Sequence, residues 1–361
     1  MINSFFEVEK FNLEIEKQKI IDFIDMKKNQ SASEAVFFDK YHEIQDCSGE
    51  KFKINTLKNK VWNESDISNL KPKVILVDTK EQLDDWRYLI RFTSSFKNVS
   101  NPGRNMKFLV VDETTNKYLG ALTVTSDFGD LGGRDKYIGW TRDDRYKNKR
   151  LNNVACGQAI IPMQPLGHNF LGGKLMALMI TSDVIRKSRE DKYGEVLVGM
   201  TTTSLYGTHS QYNSMPTFKK RGKTTGKMPI KLSKDMVRVW EEYFGEKRKV
   251  RSNLDTKIYR ECGMKPAEYV SGMQRGIYFC SFYDNTREFL CVKIKKSSLL
   301  LRQDFVYYNN LISEWWKPKS EKRFNKLKSD NKMISDLHFW DKLFGLTYEQ
   351  AKENYLGEVG R

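Results

Sequence analysis

One stretch constrains the fold of this chain more than any other. From Gln158 to Thr202 the sequence reads as an apolar run, a glycine-bearing turn, a helical run and a second apolar run. Gln158–Met163 suits a strand, and Gln164–Lys174 suits a turn because it holds Pro165, Gly167, Gly172 and Gly173. Leu175 to about Arg189 carries helical periodicity, and Val196–Thr202 returns to strand character. Strand, turn, helix and strand in this order point to an α/β chain.

The flanking sequence fits that frame. Phe5, Val8, Phe11, Leu13, Ile15, Ile20, Ile21 and Ile24 recur at roughly helical spacing, and a polar loop, Lys27–Ser33, follows. Val36–Tyr41 suits a second helix or a short strand. Val74–Val77 reads as a strand. Glu81–Phe96 reads as a helix with Leu83, Trp86, Leu89, Ile90 and Thr93 on one face, and Lys97–Arg104 as a loop. Phe108–Val111 and Leu119–Thr125 form a hairpin through Asp112–Lys117. Residues 126–150 are a glycine- and charge-rich connection. Ser210–Lys220 reads as a polar turn and short helix, and 231–260 as a charged helical stretch with Met236, Val239, Trp240 and Phe244 on its apolar side. Gly276–Tyr283 and Phe289–Ile294 read as a second strand pair, and the tail from Asn309 as basic and helical. At 361 residues the chain exceeds the length, about 250–300 residues, at which one core stops growing. Three blocks are expected: an N-terminal helical extension (1–72), a core domain (73–230) and a basic α+β appendage (231–361).

Charge narrows the function. Lys and Arg outnumber Asp and Glu by 62 to 46, a net +16, which points to a polyanionic partner. DNA is the expected one; oligomeric state stays open. Two basic runs are candidate phosphate contacts: Arg142, Arg145, Lys147, Lys149 and Arg150, and Lys219, Lys220, Arg221 and Lys223. A solvated face is the alternative for both. Trp315 and Trp316, followed by Lys317, Lys319, Lys322 and Arg323, suit either nucleic acid or a helix that buries its tryptophans. No apolar run approaches the roughly 20 residues of a membrane span, and the N-terminus lacks a signal-peptide pattern, so a cytoplasmic protein is expected. The five cysteines and four histidines are scattered, which argues against a zinc site; no metal is expected.

The glycine-bearing turn is also a candidate anion site. A helix entered through glycines exposes its first N–H groups, and Lys174 adds a charge. Gly167, Gly172 and Gly173 can equally serve only to tighten the turn. The spacing is not that of a nucleotide P-loop, because Leu175 follows Lys174 where Ser or Thr is needed. Polar residues after the strand that ends near Thr202, Ser204, Tyr206 and Tyr212 among them, are candidates for proton transfer. Asp127, just after a strand, suits a general base or a turn cap. His168 and His209 flank the same region. Trp140 suits the core better than base stacking.

The order helix, hairpin, strand, turn, helix, strand and polar turn resembles the GNAT acyltransferases. That family's turn, Arg/Gln-x-x-Gly-x-Gly/Ala, holds the pyrophosphate of acyl-coenzyme A. Here Asn169, Gly172 and Lys174 stand at its fixed places, with Asn and Lys replacing the first and last. The resemblance implies a GNAT-like central mixed sheet with flanking helices, and an acyl-CoA or related acyl donor near Gly167, His168, Asn169, Gly172, Gly173 and Lys174. A narrower resemblance rests on Tyr137-Ile138-Gly139-Trp140, Arg142-Asp143-Asp144-Arg145, Asn152-Asn153, Ser210-Gln211-Tyr212 and Gly222-Lys223-Thr224-Thr225-Gly226. These look like the DruA family of the Druantia anti-phage systems. The phage Mom proteins, which modify adenine in DNA, look like more distant relatives. Together they imply a transferase that modifies a nucleobase in DNA, or a non-catalytic DNA-binding component of a defence or mobile-element system.

Overall fold

The structure, a computed structural model, describes residues 12–47, 51–96, 103–204, 210–227, 229–249, 253–306, 308–335 and 339–359. The chain forms two compact units, one of Met1–Ala35 with Thr225–Gln274 and the other of Val36–Thr224 with Arg275–Arg361. This division cuts across the three sequence blocks, and the reason is packing. In the first unit the helix Leu13–Asn29 places Ile20 and Ile24 four residues apart on one face. They share a core with Ile230, Leu232, Val237, Trp240, Leu254 and Ile258, which stand far from them in the sequence. The helices Lys234–Phe244 and Leu254–Glu261 supply most of that core.

The second unit is built on a seven-stranded mixed sheet. Its strands and the helices that bear on the site are, in chain order, β1 (Pro72–Leu76), α1 (Lys80–Thr93), β2 (Asn105–Asp112), β3 (Tyr118–Ser126), α2 (Gly132–Ile138), α3 (Arg142–Tyr146), β4 (Val154–Pro162), α4 (Gly172–Met179), α5 (Asp183–Tyr193), β5 (Gly199–Ser204), β6 (Lys219–Lys223), β7 (Gly276–Ser281), α6 (Thr286–Leu290) and α7 (Lys317–Ser329). The strand order is β1-β2-β3-β4-β5-β7-β6. All neighbours are antiparallel except β4 and β5, which run parallel.

The core follows from strand alternation. Phe108, Val110, Leu122, Val124 and Ile160 face one side, where Leu175, Met176, Met179 and Ile180 pack on them. Leu109, Ala121, Ala159 and Ile161 face the other, against Trp86, Leu89 and Ile90 of α1. Helix α1 starts at a capping box, in which Thr79 and Gln82 satisfy each other's backbone N–H groups.

Three expectations need correction. Phe289–Ile294 is not a strand: Thr286–Leu290 is helical. Phe289 N donates to Asn285 O at 3.2 Å and Cys291 N to Arg287 O at 2.9 Å, which closes helical turns, and Thr286 Oγ1 donates to Val198 O at 3.1 Å. The helical run after Lys174 breaks at Thr181, whose hydroxyl donates to Leu178 O at 2.7 Å, and resumes as α5 after an extended Ser182. Lys219–Lys223 is an edge strand rather than the end of a short helix. Exposed lysines on an edge strand also discourage sheet-to-sheet pairing.

Candidate functional site

Strands β4 and β5 pair at three positions only, Val154 with Gly199, Ala155 with Met200 and Cys156 with Thr201. A bulge then disturbs β4: Val124 of β3 faces Gly157 and Thr123 faces Ala159, so Gln158 is the extra residue. Beyond it, side chains replace the missing ladder. Thr202 Oγ1 donates to Gly157 O at 2.9 Å, and Gln211 Nε2 donates to Ile160 O at 3.0 Å. Buried carbonyls need such partners.

The gap opens into a cavity of about 1920 Å³. That is larger than the roughly 300–1,000 Å³ of a small-molecule pocket. Gln158, Ile160, Thr203, Ser204 and Tyr212 line it from the sheet side, Gln164 and His168 from the turn, and Arg323, Lys326 and Lys332 from α7 and the segment after it. Its position at the carboxyl ends of parallel strands is where open α/β sheets take ligands.

Of the residues expected from sequence, Ser204, Tyr212 and His168 meet here. Tyr212 is buried; its hydroxyl accepts from Gln211 Nε2 at 3.1 Å, and burial pushes the phenol above its ordinary pKa. His168 Nε2 lies 3.2 Å from Lys332 O. Tyr206 and His209 fall outside the described residues.

Asp127 is buried away from the cavity. Its Oδ2 sits 2.8 Å from Arg134 Nη1 and accepts from Thr201 Oγ1 at 2.6 Å. Burial pushes its carboxyl up, against the pull of Arg134, Thr201 and the Phe128 N–H. A carboxylate closed in this way does not reach a substrate as a base.

The glycine-bearing turn is occupied by its own chain. A side chain at Gly172 would meet the backbone of Leu166 and Gly167 at 2.9 Å, and one at Gly173 would meet Gln211. Gly167 packs against the Gln164 side chain. The Asn169 amide donates to Ile334 O at 2.7 Å and accepts from Ile334 N at 3.1 Å. Lys174 Nζ donates to Asn213 O at 2.5 Å and Gln211 O at 3.3 Å, and burial pulls its pKa down. Trp316 Nε1 donates to Leu171 O, Ser320 Oγ to Phe170 O, and Phe324 stacks on Phe170 at 4.6 Å. The Asn169 and Lys174 side chains are thus engaged within the protein rather than turned toward a donor's pyrophosphate. Among the described residues no cluster of three or more His, Cys, Asp or Glu could hold a metal, and no helix is long and apolar enough to cross a membrane.

The model of the family described as Druantia protein DruA matches residues 16–291. The chain belongs to the DruA family. A curated DruA-family relative, Druantia protein DruA of Escherichia coli (strain UMEA 4076-1), is 30% identical over 139 residues, covering 35% of this chain and 34% of the relative. The aligned part therefore spans about a third of that relative's length. No solved structure matches the chain.

In this DruA-family chain the block from Asp127 to Asn153 is tied together by charge. Arg134 Nη2 pairs with Asp135 at 2.6 Å, Trp140 Nε1 donates to the same carboxylate at 3.1 Å, and the Arg134 guanidinium lies 5.2 Å from the Trp140 ring centroid. Arg145 pairs with Asp130 at 2.7 Å and with Asp135 at 3.4 Å, and Lys147 with Asp143 at 2.7 Å. The Arg150 guanidinium covers the Phe289 ring at 4.1 Å, and Arg221 covers Tyr137 at 3.4 Å. Gly133 is required where α2 meets β6, since a Cβ there would collide with Arg221 O. Much of the two basic runs thus holds the fold, while Lys149, Lys220 and Lys223 stay exposed. Lys219 is also exposed, though its Nζ donates to Met215 O at 3.0 Å. Arg142 lies over Tyr146. Arg323 belongs to the basic tail that the sequence offers for nucleic acid, and only tertiary packing brings it and Lys326 to the cavity.

Proposed function

We propose that this DruA-family protein is a nucleic-acid-binding component of an anti-phage defence system, and that its ligand enters the cleft where β4 and β5 part. The cleft itself carries the reading: it is large, lies at the ends of parallel strands and has a cationic wall in a chain of net charge +16. Family membership supports the defence context. The element order, with its hairpin, parallel strand pair and intervening helix, supports a GNAT-like sheet reused to hold a polymer rather than an acyl donor. Fluorescence anisotropy with labelled DNA and RNA tests the reading. Binding should weaken linearly in log–log form as salt rises. Absence of binding to every nucleic acid at low salt would remove it.

A second reading, a transferase that modifies a nucleobase, is favoured by one observation: Ser204 and Tyr212 both line the cleft. A base would enter flipped or single-stranded. Mass spectrometry of nucleosides from cells expressing the protein tests it, because a new mass lost in the Tyr212→Phe variant would establish modification.

A further inference from the structure

We propose that α7 and the segment after it form a track for single-stranded nucleic acid, with Arg323, Lys326 and Lys332 holding phosphates while bases turn into the cavity. The proposal rests on the nucleic-acid reading and specifies its site.

Arg145 and Lys147 are paired with carboxylates, and Arg134 is sealed between Asp127 and Asp135. Among the described residues Arg323, Lys326 and Lys332 form no ion pair, and all three line the cavity. Of the two carboxylates in the lining, Asp341 is already paired with Lys58 at 2.7 Å, which leaves Asp330. The local balance favours an anion.

Phosphate contacts position a strand only if the cations are themselves held. Ser320, Phe324 and Leu327 recur at helical spacing on one side of α7. Ser320 bonds Phe170 O and Phe324 stacks on Phe170, which clamps the helix to the turn after β4. Asn169 clamps the segment beyond α7 through both backbone groups of Ile334. Arg323 and Lys326 lie three residues apart between these clamps, so they are neighbours on the helix surface.

The lining comes from β4, β5, the end of α1, α7 and residues 330–335 and 339–342, so the cavity is walled by several elements rather than laid out as a shallow face. A volume of about 1920 Å³ is on the scale of a few nucleotides of one strand. Half-buried Phe96 offers a ring for stacking, and Thr203 and Ser204 offer hydroxyls to base edges.

The test compares two double variants with equal charge loss on one helix. Arg323→Ala/Lys326→Ala alters the cleft, whereas Lys322→Ala/Lys328→Ala alters exposed positions outside its lining. Affinity for labelled oligothymidylate and for a duplex of equal length is measured across salt. The cleft variant should bind the single strand roughly tenfold more weakly, with a salt slope shallower by about 1.4, and the control should change little. Equal losses in both variants, no loss in the cleft variant, or tighter binding of duplex by the wild type would overturn the track while leaving the nucleic-acid reading intact. A wild type that binds neither probe would remove both. On the wild type alone, ultraviolet crosslinking to bromodeoxyuridine oligonucleotides should label peptides that line the cleft. Labelling confined to other peptides would overturn the assignment even if a variant failed to fold.

Discussion

Arg134 Nη1 lies 2.8 Å from Asp127 Oδ2, and both side chains are wholly shut off from solvent. The pair joins α2 to the end of β3, and Thr201 of β5 completes it through its hydroxyl. Removing one member of a buried pair leaves an uncompensated charge, which costs about 3–5 kcal/mol. Arg134→Met should lower stability to urea by that amount, and Arg134→Met/Asp127→Leu by much less than the sum of the single changes. A loss below roughly 1 kcal/mol in Arg134→Met would contradict the pair's structural role.

Lys174 bridges α4 to the segment holding Gln211 and Asn213, and that segment carries Tyr212 into the cleft. Lys174→Met keeps much of the aliphatic stem and strands two carbonyls. Buried groups left unpaired cost about 1–3 kcal/mol, so thermal stability should fall. Nucleic-acid affinity per folded molecule should fall only modestly, since Lys174 does not line the cavity. A selective loss of affinity at unchanged stability would show instead that the ammonium meets the ligand.

Trp86, Leu89 and Ile90 were readable as a helix face because their spacing alone decides it. Phe289 and Leu290 were misread because a short apolar run has no period to separate strand from helix. Ser204, the last residue of β5, and Tyr212 line the cleft because polar residues near a strand end stand where the sheet opens. Asp127 suits a base or a turn cap in the sequence, where nothing shows Arg134 folding back over it. Arg323 reaches His168 O across 155 positions, and no local pattern predicts such a meeting.

The run Arg142–Arg150 should matter more for stability than for binding. Arg145→Ala removes contacts to Asp130 and Asp135 and exposes part of the Asp127–Arg134 network, so unfolding should come at lower urea. Lys149 is exposed on a left-handed turn at φ 56°, so Lys149→Gly should preserve or slightly raise stability. Its effect on the salt slope of DNA binding should be no more than about one phosphate contact. A larger loss of affinity from Lys149→Gly than from Arg323→Ala/Lys326→Ala would move the contact surface to this run.

Tyr212 ties the cleft to pH. Burial raises its pKa above the ordinary value of 10.0, so the protonated phenol is the form that the fold favours. That contribution is fully present below the unfolded value and is lost as pH rises through the higher folded one. Near neutral pH the group can therefore donate a proton but is not a phenolate base. Between neutral pH and the tyrosine range, the wild type should lose more stability than Tyr212→Phe, which has no phenol to ionise. Urea midpoints of both proteins across that range measure the difference. Equal losses would mean that Tyr212 ionises as freely in the fold as in the open chain, and its assignment as a buried donor at the cleft would fail.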